Sequence, residues 1–114
     1  MGVRKKGRTR FECLGECFVW YWDEWYIRIS SEDKSFVIAY FIGDPWGPEA
    51  HLEIHGHHFP GIERTERRPV RVLVPEAVRK EFQSSTGAFV NALIRWCLDE
   101  SHTLKYLDDS EPTS

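Results

Sequence analysis

His51, Glu53, His55, His57 and His58 place four imidazoles and a carboxylate in one short segment. Neutral imidazole and carboxylate together form the ligand set of zinc and related transition metals, so the segment is a candidate metal site. Read as a strand, it puts His51, Glu53 and His55 on one face, with Leu52 and Ile54 on the other. Neighbours on such a face stand about 6.7 Å apart and can share an ion through their side chains. His51 and His55, about 13 Å apart along an extended strand, are too distant for one ion without a bend. Gly56 supplies a place for the chain to fold His57 or His58 back toward His55. The competing reading is a plain solvent-facing strand surface, the commoner fate of such polar alternation.

Other chemistry is sparser. Cys13 and Cys17 form a C-x3-C pair that matches no common zinc pattern. On a continuous first strand both cysteines share a half-polar face with Tyr21 and Arg28, where Cys17 is a candidate partner for the histidines. Three cysteines with no secretory signal argue against a disulfide framework. The glycines are scattered and lack the strand–loop–helix setting of a phosphate loop. Asp23-Glu24 and Asp108-Asp109 read as turn and tail, where carboxylates are solvated. No local signature supports a nucleophile. Tyr21, Tyr26 and Arg28, with Arg71, are aromatic and basic groups able to form a binding surface. Trp46, within Gly43-Asp44-Pro45-Trp46-Gly47-Pro48, either caps a sheet edge or meets a partner.

The elements that would hold these groups follow from periodicity. A two-residue turn at Asp23-Glu24 pairs Phe18 with Ile29, Trp20 with Ile27 and Trp22 with Trp25. Opposed residues share a face, so one side of the hairpin carries those six apolar residues and faces the core. The other side carries Cys17, Val19, Tyr21, Tyr26, Arg28 and Ser30. The first strand extends from about Arg10 to Trp22, broken or bulged at Gly15. Further strands follow at Ser35 to Ile42, apolar on both faces and therefore central, at His51 to His55, and at Val70 to Val74. Pro75 and Glu76 suit a helix start, and Ser84, Ser85 and Thr86 offer caps for a second helix. Phe89, Ala92, Leu93, Trp96 and Cys97 give the second helix its 3.6-residue stripe. Val90, Ile94 and Leu98 widen that stripe enough to ask for a second covered surface, supplied by the first helix or by another subunit.

Strands first and helices last predict an α+β fold: a mainly antiparallel five-stranded meander sheet with two C-terminal helices packed on one face. The domain spans residues 10–107. A basic tail (1–9, with Arg4, Lys5, Lys6 and Arg8) precedes it and an acidic tail (108–114, with Asp108, Asp109 and Glu111) follows it. Residues 70–100 resemble a ribbon-helix-helix DNA-binding unit in their order, through Val72-Leu73-Val74-Pro75-Glu76 and Phe89 to Leu98. The first helix is too short for that family, and most of the chain lies upstream of the match.

The chain has 114 residues, long enough for one core without staples. Five tryptophans and an aromatic share of 14% give that core large burying groups. A net charge of −3 gives no general attraction to nucleic acid. No apolar run approaches the roughly 20 residues of a membrane helix, so a cytoplasmic protein is expected. The functional expectation is a small non-enzymatic binding or interaction module, self-associating as a dimer and open to a protein partner. Its surface would comprise Trp46, Tyr21, Tyr26 and Arg28, with histidines that sense pH near 6.5. The alternatives are a zinc protein built on His51, Glu53, His55, His57 and His58, and a nucleic-acid binder using the basic N-terminal arm.

Overall fold

The computed structural model describes residues 8–43, 46–47, 49–55, 59–60 and 70–107. Residues 1–7 of the tail predicted over 1–9, the tail at 108–114, and His57 and His58 lie outside the described residues, whereas Thr9, the last residue of the predicted first tail, already belongs to the sheet. Seven strands form one antiparallel sheet in strict sequence order: β1 (Thr9–Cys13), β2 (Glu16–Asp23), β3 (Tyr26–Ser31), β4 (Val37–Phe41), β5 (His51–Ile54), β6 (Val70–Leu73) and β7 (Lys105–Tyr106). The α+β class and the meander hold, but the sheet has seven strands rather than five.

Both additional strands have local causes. Leu14 and Gly15 take positive φ angles of 54° and 80°. That left-handed pair forms a tight two-residue turn matching the twist of its flanking strands. The expected bulge at Gly15 is therefore a full hairpin, with Cys13 opposite Glu16 and Phe11 opposite Phe18. Strand β7 is only two residues long and pairs with Val72 and Leu73. Val72 is thus bonded on both sides within the chain, through β5 and β7, which leaves β6 no edge for the intermolecular ribbon of a ribbon-helix-helix dimer.

The turn between β2 and β3 falls at Glu24-Trp25, with Glu24 at φ 57° and Asp23 paired with Tyr26. Trp20 therefore opposes Ile29 and Trp22 opposes Ile27, two positions from the predicted register. A shift of two leaves every side chain on its predicted face. It nevertheless moves Trp25 out of the ladder into the turn, where it is 55% exposed; Trp22 is 45% exposed. The expectation of three buried indoles is corrected: Trp20 alone of the three packs against the core.

The core lies on the face of Phe18, Ile27, Ile29, Ile38, Tyr40, Leu52, Ile54, Val70 and Val72. The helices cover it: α1 (Glu76–Arg79), continued by a 3₁₀ turn over Lys80–Gln83, and α2 (Thr86–Cys97). Pro75 precedes α1 in an extended conformation. The Ser85 hydroxyl caps α2 by accepting the Ala88 N–H at 3.0 Å. Phe89 stacks on Phe82 at 4.0 Å and tilts against Tyr40 at 4.8 Å. Val90 and Ile94 are buried within the chain and Leu98 is half-buried, so most of the wide apolar arc of α2 is covered without a second subunit.

Candidate functional site

The hairpin at Leu14-Gly15 separates the two cysteines. Cys13 is buried on the helix face, its Sγ 3.7 Å from the Asn91 amide nitrogen, and burial raises its pKa. Cys17 pairs with Glu12 on the opposite face and is exposed. The shared half-polar face predicted for them is corrected, because two turn residues between the strands reverse the chain.

The face of the sheet opposite the helices carries the predicted polar groups. Across it run Tyr21, Arg28, Ala39, Glu53 and Arg71 in register; beside them run Asp23, Tyr26, Phe41 and His51. Glu53 is the centre of a network. Its carboxylate accepts the Tyr26 hydroxyl at 3.1 Å. His51 Nε2 lies 3.4 Å from Oε2 and His55 Nε2 lies 3.3 Å from Oε1. His51 is buried; its Nδ1–H donates to the Glu49 carbonyl at 2.8 Å, and its ring packs on Phe41 at 5.2 Å. Arg28 donates to Asp23 at 2.6 Å and lies over the Tyr26 ring, while the Arg8 guanidinium lies 4.3 Å from the Tyr21 ring centre. Burial, and then Glu53, raise the Tyr26 pKa, because the carboxylate disfavours a second negative charge beside it.

His51, Glu53 and His55 are thus brought together as the strand alternation predicts. They meet through the two different oxygens of one carboxylate, with the imidazoles on either side of it rather than around one point. Among the described residues no three histidine, cysteine or acidic side chains form a group able to hold a metal ion.

The predicted partner residue Trp46 is 93% exposed, so its ring covers little of the sheet edge. The topology places it at the end of the sheet that also holds the Glu24-Trp25 turn, Trp22 and Ile42. There the Ile42 N–H donates to the Trp25 carbonyl at 3.0 Å. Trp22, Trp25, Ile42 and Trp46 are all exposed. The sequence reading missed this gathering of exposed residues at one end of the sheet because it assigned Trp22 and Trp25 to the core.

A cavity of about 450 Å³ opens at the same end, where β5 and β6 diverge. Ala50, Leu73, Val74, Pro75 and Trp96 give it apolar walls, and Glu49, Glu76, Arg79 and Lys105 are charged groups lining it. Its indole is held from behind. Trp96 packs against the His102 ring at 5.3 Å, and Phe59 packs on that ring at 5.6 Å. The two ring nitrogens of His102 lie 2.9 Å from the Trp96 and Pro60 carbonyl oxygens. These residues come from separated segments and carry no common motif, so no sequence signal could have assembled them.

Comparison with protein-family models gives no match, and searches of curated proteins and of solved structures likewise give none.

Proposed function

We propose that the protein is a non-enzymatic binding module that self-associates through the tryptophan-bearing end of its sheet. The observation that carries this reading is the exposure of Trp22, Trp25 and Trp46 at one end. Tryptophan is the side chain most enriched among interface hot spots, and exposed apolar groups gathered in one place mark interaction surfaces. The exposed shares add up to about two whole indoles per copy, on the order of 800 Å² for a two-fold pair. Ile42 extends the area on the Trp22 face, and Tyr26 and Arg28 border the same end from the other face of the sheet, toward the roughly 1,200 Å² of the smaller specific interfaces. The half-buried network around Glu53 fixes Tyr26 and so gives the rim a set shape. Sedimentation velocity across a hundredfold concentration range is the test. Dimer formation that weakens in Trp25→Ala and Trp46→Ala, but not in Leu14→Ala at the opposite end of the sheet, supports the reading. A monomer at every concentration removes it.

Zinc binding is the second reading, favoured by His51. Its Nδ1–H bond to a backbone carbonyl turns Nε2 toward a carboxylate, the arrangement that orients a ligating imidazole. Metal titration of untagged protein decides it: stoichiometric binding lost in His51→Gln supports the site, and absence of saturable binding ends it.

A further inference from the structure

We infer that the cavity between the β5 and β6 ends, α1 and α2 is a site for a small zwitterion with a planar apolar body, of the kind an aromatic amino acid presents. Its volume of about 450 Å³ lies within the range of small-molecule pockets and exceeds what a single ring with a short polar arm requires. The apolar walls and the Trp96 indole favour a flat ring, since ring pairs gain beyond the area they bury. The indole is pre-positioned, because it packs on the His102 ring, which is itself held between the Trp96 and Pro60 carbonyls. A wall that does not have to be ordered on binding costs the complex less.

The charges decide the ligand class. Arg79 and Lys105 are cationic, and Glu49 and Glu76 are anionic. Among the described residues none of the four takes part in an ion pair. A simple anion drawn by Arg79 and Lys105 meets Glu49 and Glu76, and a simple cation meets the reverse. A ligand carrying a carboxylate and an ammonium group can use both pairs. This site uses residues separate from the exposed tryptophans, so it stands or falls independently of self-association.

The test uses the full chain and three probes of one size: L-phenylalanine, phenethylamine, which lacks the carboxylate, and 3-phenylpropionate, which lacks the ammonium group. Binding is read from the Trp96 indole N–H resonance, assigned with Trp96→Phe. The expected result is saturable binding of L-phenylalanine, about tenfold or more tighter than either truncated probe, the loss of one charged contact of about 1.4 kcal/mol. Arg79→Gln with Lys105→Gln should erase the preference over phenethylamine. Glu49→Gln with Glu76→Gln should erase the preference over 3-phenylpropionate. All four are exposed, so these variants keep the fold. Equal binding of a truncated probe, perturbation of other indoles without Trp96, or no saturation by L-phenylalanine overturns the proposal.

Discussion

At the scale of single residues, the clearest contrast is among the thiols. Cys17 is exposed, Cys13 is buried on the helix face, and Cys97 is fully enclosed in α2. Burial raises the pKa of Cys13 and lifts that of Cys97 well above the ordinary thiol value. Thiolate is the reactive form, so burial and a raised pKa suppress reactivity together. One thiol should therefore label rapidly in native protein, and Cys17→Ser should remove that phase without lowering stability. Rapid labelling of two thiols would contradict the assignment. Tyr26 supplies a second prediction. Its folded pKa is raised above the ordinary phenol value of about 10 by burial and by Glu53. Above that value the unfolded chain releases the proton first, so stability is intact below pH 10 and falls as pH rises through the raised value. Tyr40, raised mainly by burial, has the same sign. Tyr26→Phe should cost about 0.5–1.5 kcal/mol at neutral pH and flatten the alkaline loss, measured by urea unfolding between pH 8 and 11. The pairing of His51, Glu53 and His55 was legible from alternation alone. The fate of Cys13 was not, because one turn decides which face a strand residue takes.

At the scale of elements, turn chemistry accounts for most of what the pattern could not specify. A hydrophobic alternation survives any shift of two residues, so the sequence separated the faces of β2 and β3 correctly under either turn. It could not choose between Asp23-Glu24 and Glu24-Trp25. That choice sends Trp25 from core to solvent. Strand β7, at two residues, is too short to leave a periodic trace. The β1–β2 turn can be tested directly, because Leu14 sits at φ 54°, a conformation that leucine tolerates poorly and asparagine well. Leu14→Asn should stabilise by about 0.5–1 kcal/mol. Gly15→Ala, at φ 80° with nothing near an added Cβ, should destabilise by about 1–2 kcal/mol through backbone strain alone. Stabilities that change in the opposite order would mean that the hairpin turns elsewhere. On the helix side, Leu93 is fully buried between α2 and the sheet. Leu93→Ala should cost about 2–5 kcal/mol by the lost transfer energy and the cavity left behind.

At the scale of the molecule, each strand pairs with the strands before and after it in chain order, while α2 packs from the β1 edge over the central core. Cys13 at the end of β1 touches Asn91 on α2, and Phe89, Leu93 and Ile94 lie in the same core as Ile38 and Ile54. One core under one helix layer predicts a single cooperative unfolding step, but the edges of the sheet are unequal to its centre. Strand β4 is buried on both faces at Ala39 and Tyr40 and is bonded on both sides. Strand β7 contributes two paired residues, and β1 stands at the other edge with Arg10 bonded to Glu32 at its exposed end. Local openings should therefore begin at β7 and at the β1 edge, where few buried contacts hold the backbone. Native-state hydrogen exchange checks this gradient. Amides of β3, β4 and α2 should exchange only through global unfolding, with opening energies equal to that from urea denaturation. Those of β7 should exchange through openings several kcal/mol cheaper. The gradient also bears on the cavity, since Lys105 belongs to β7 and Arg79 to α1. A zwitterion bridging these segments ties the weakest strand to the helix layer. It should slow exchange in β7 while leaving β4 limited by global unfolding; equal slowing in both would mean that the ligand acts only by stabilising the whole chain.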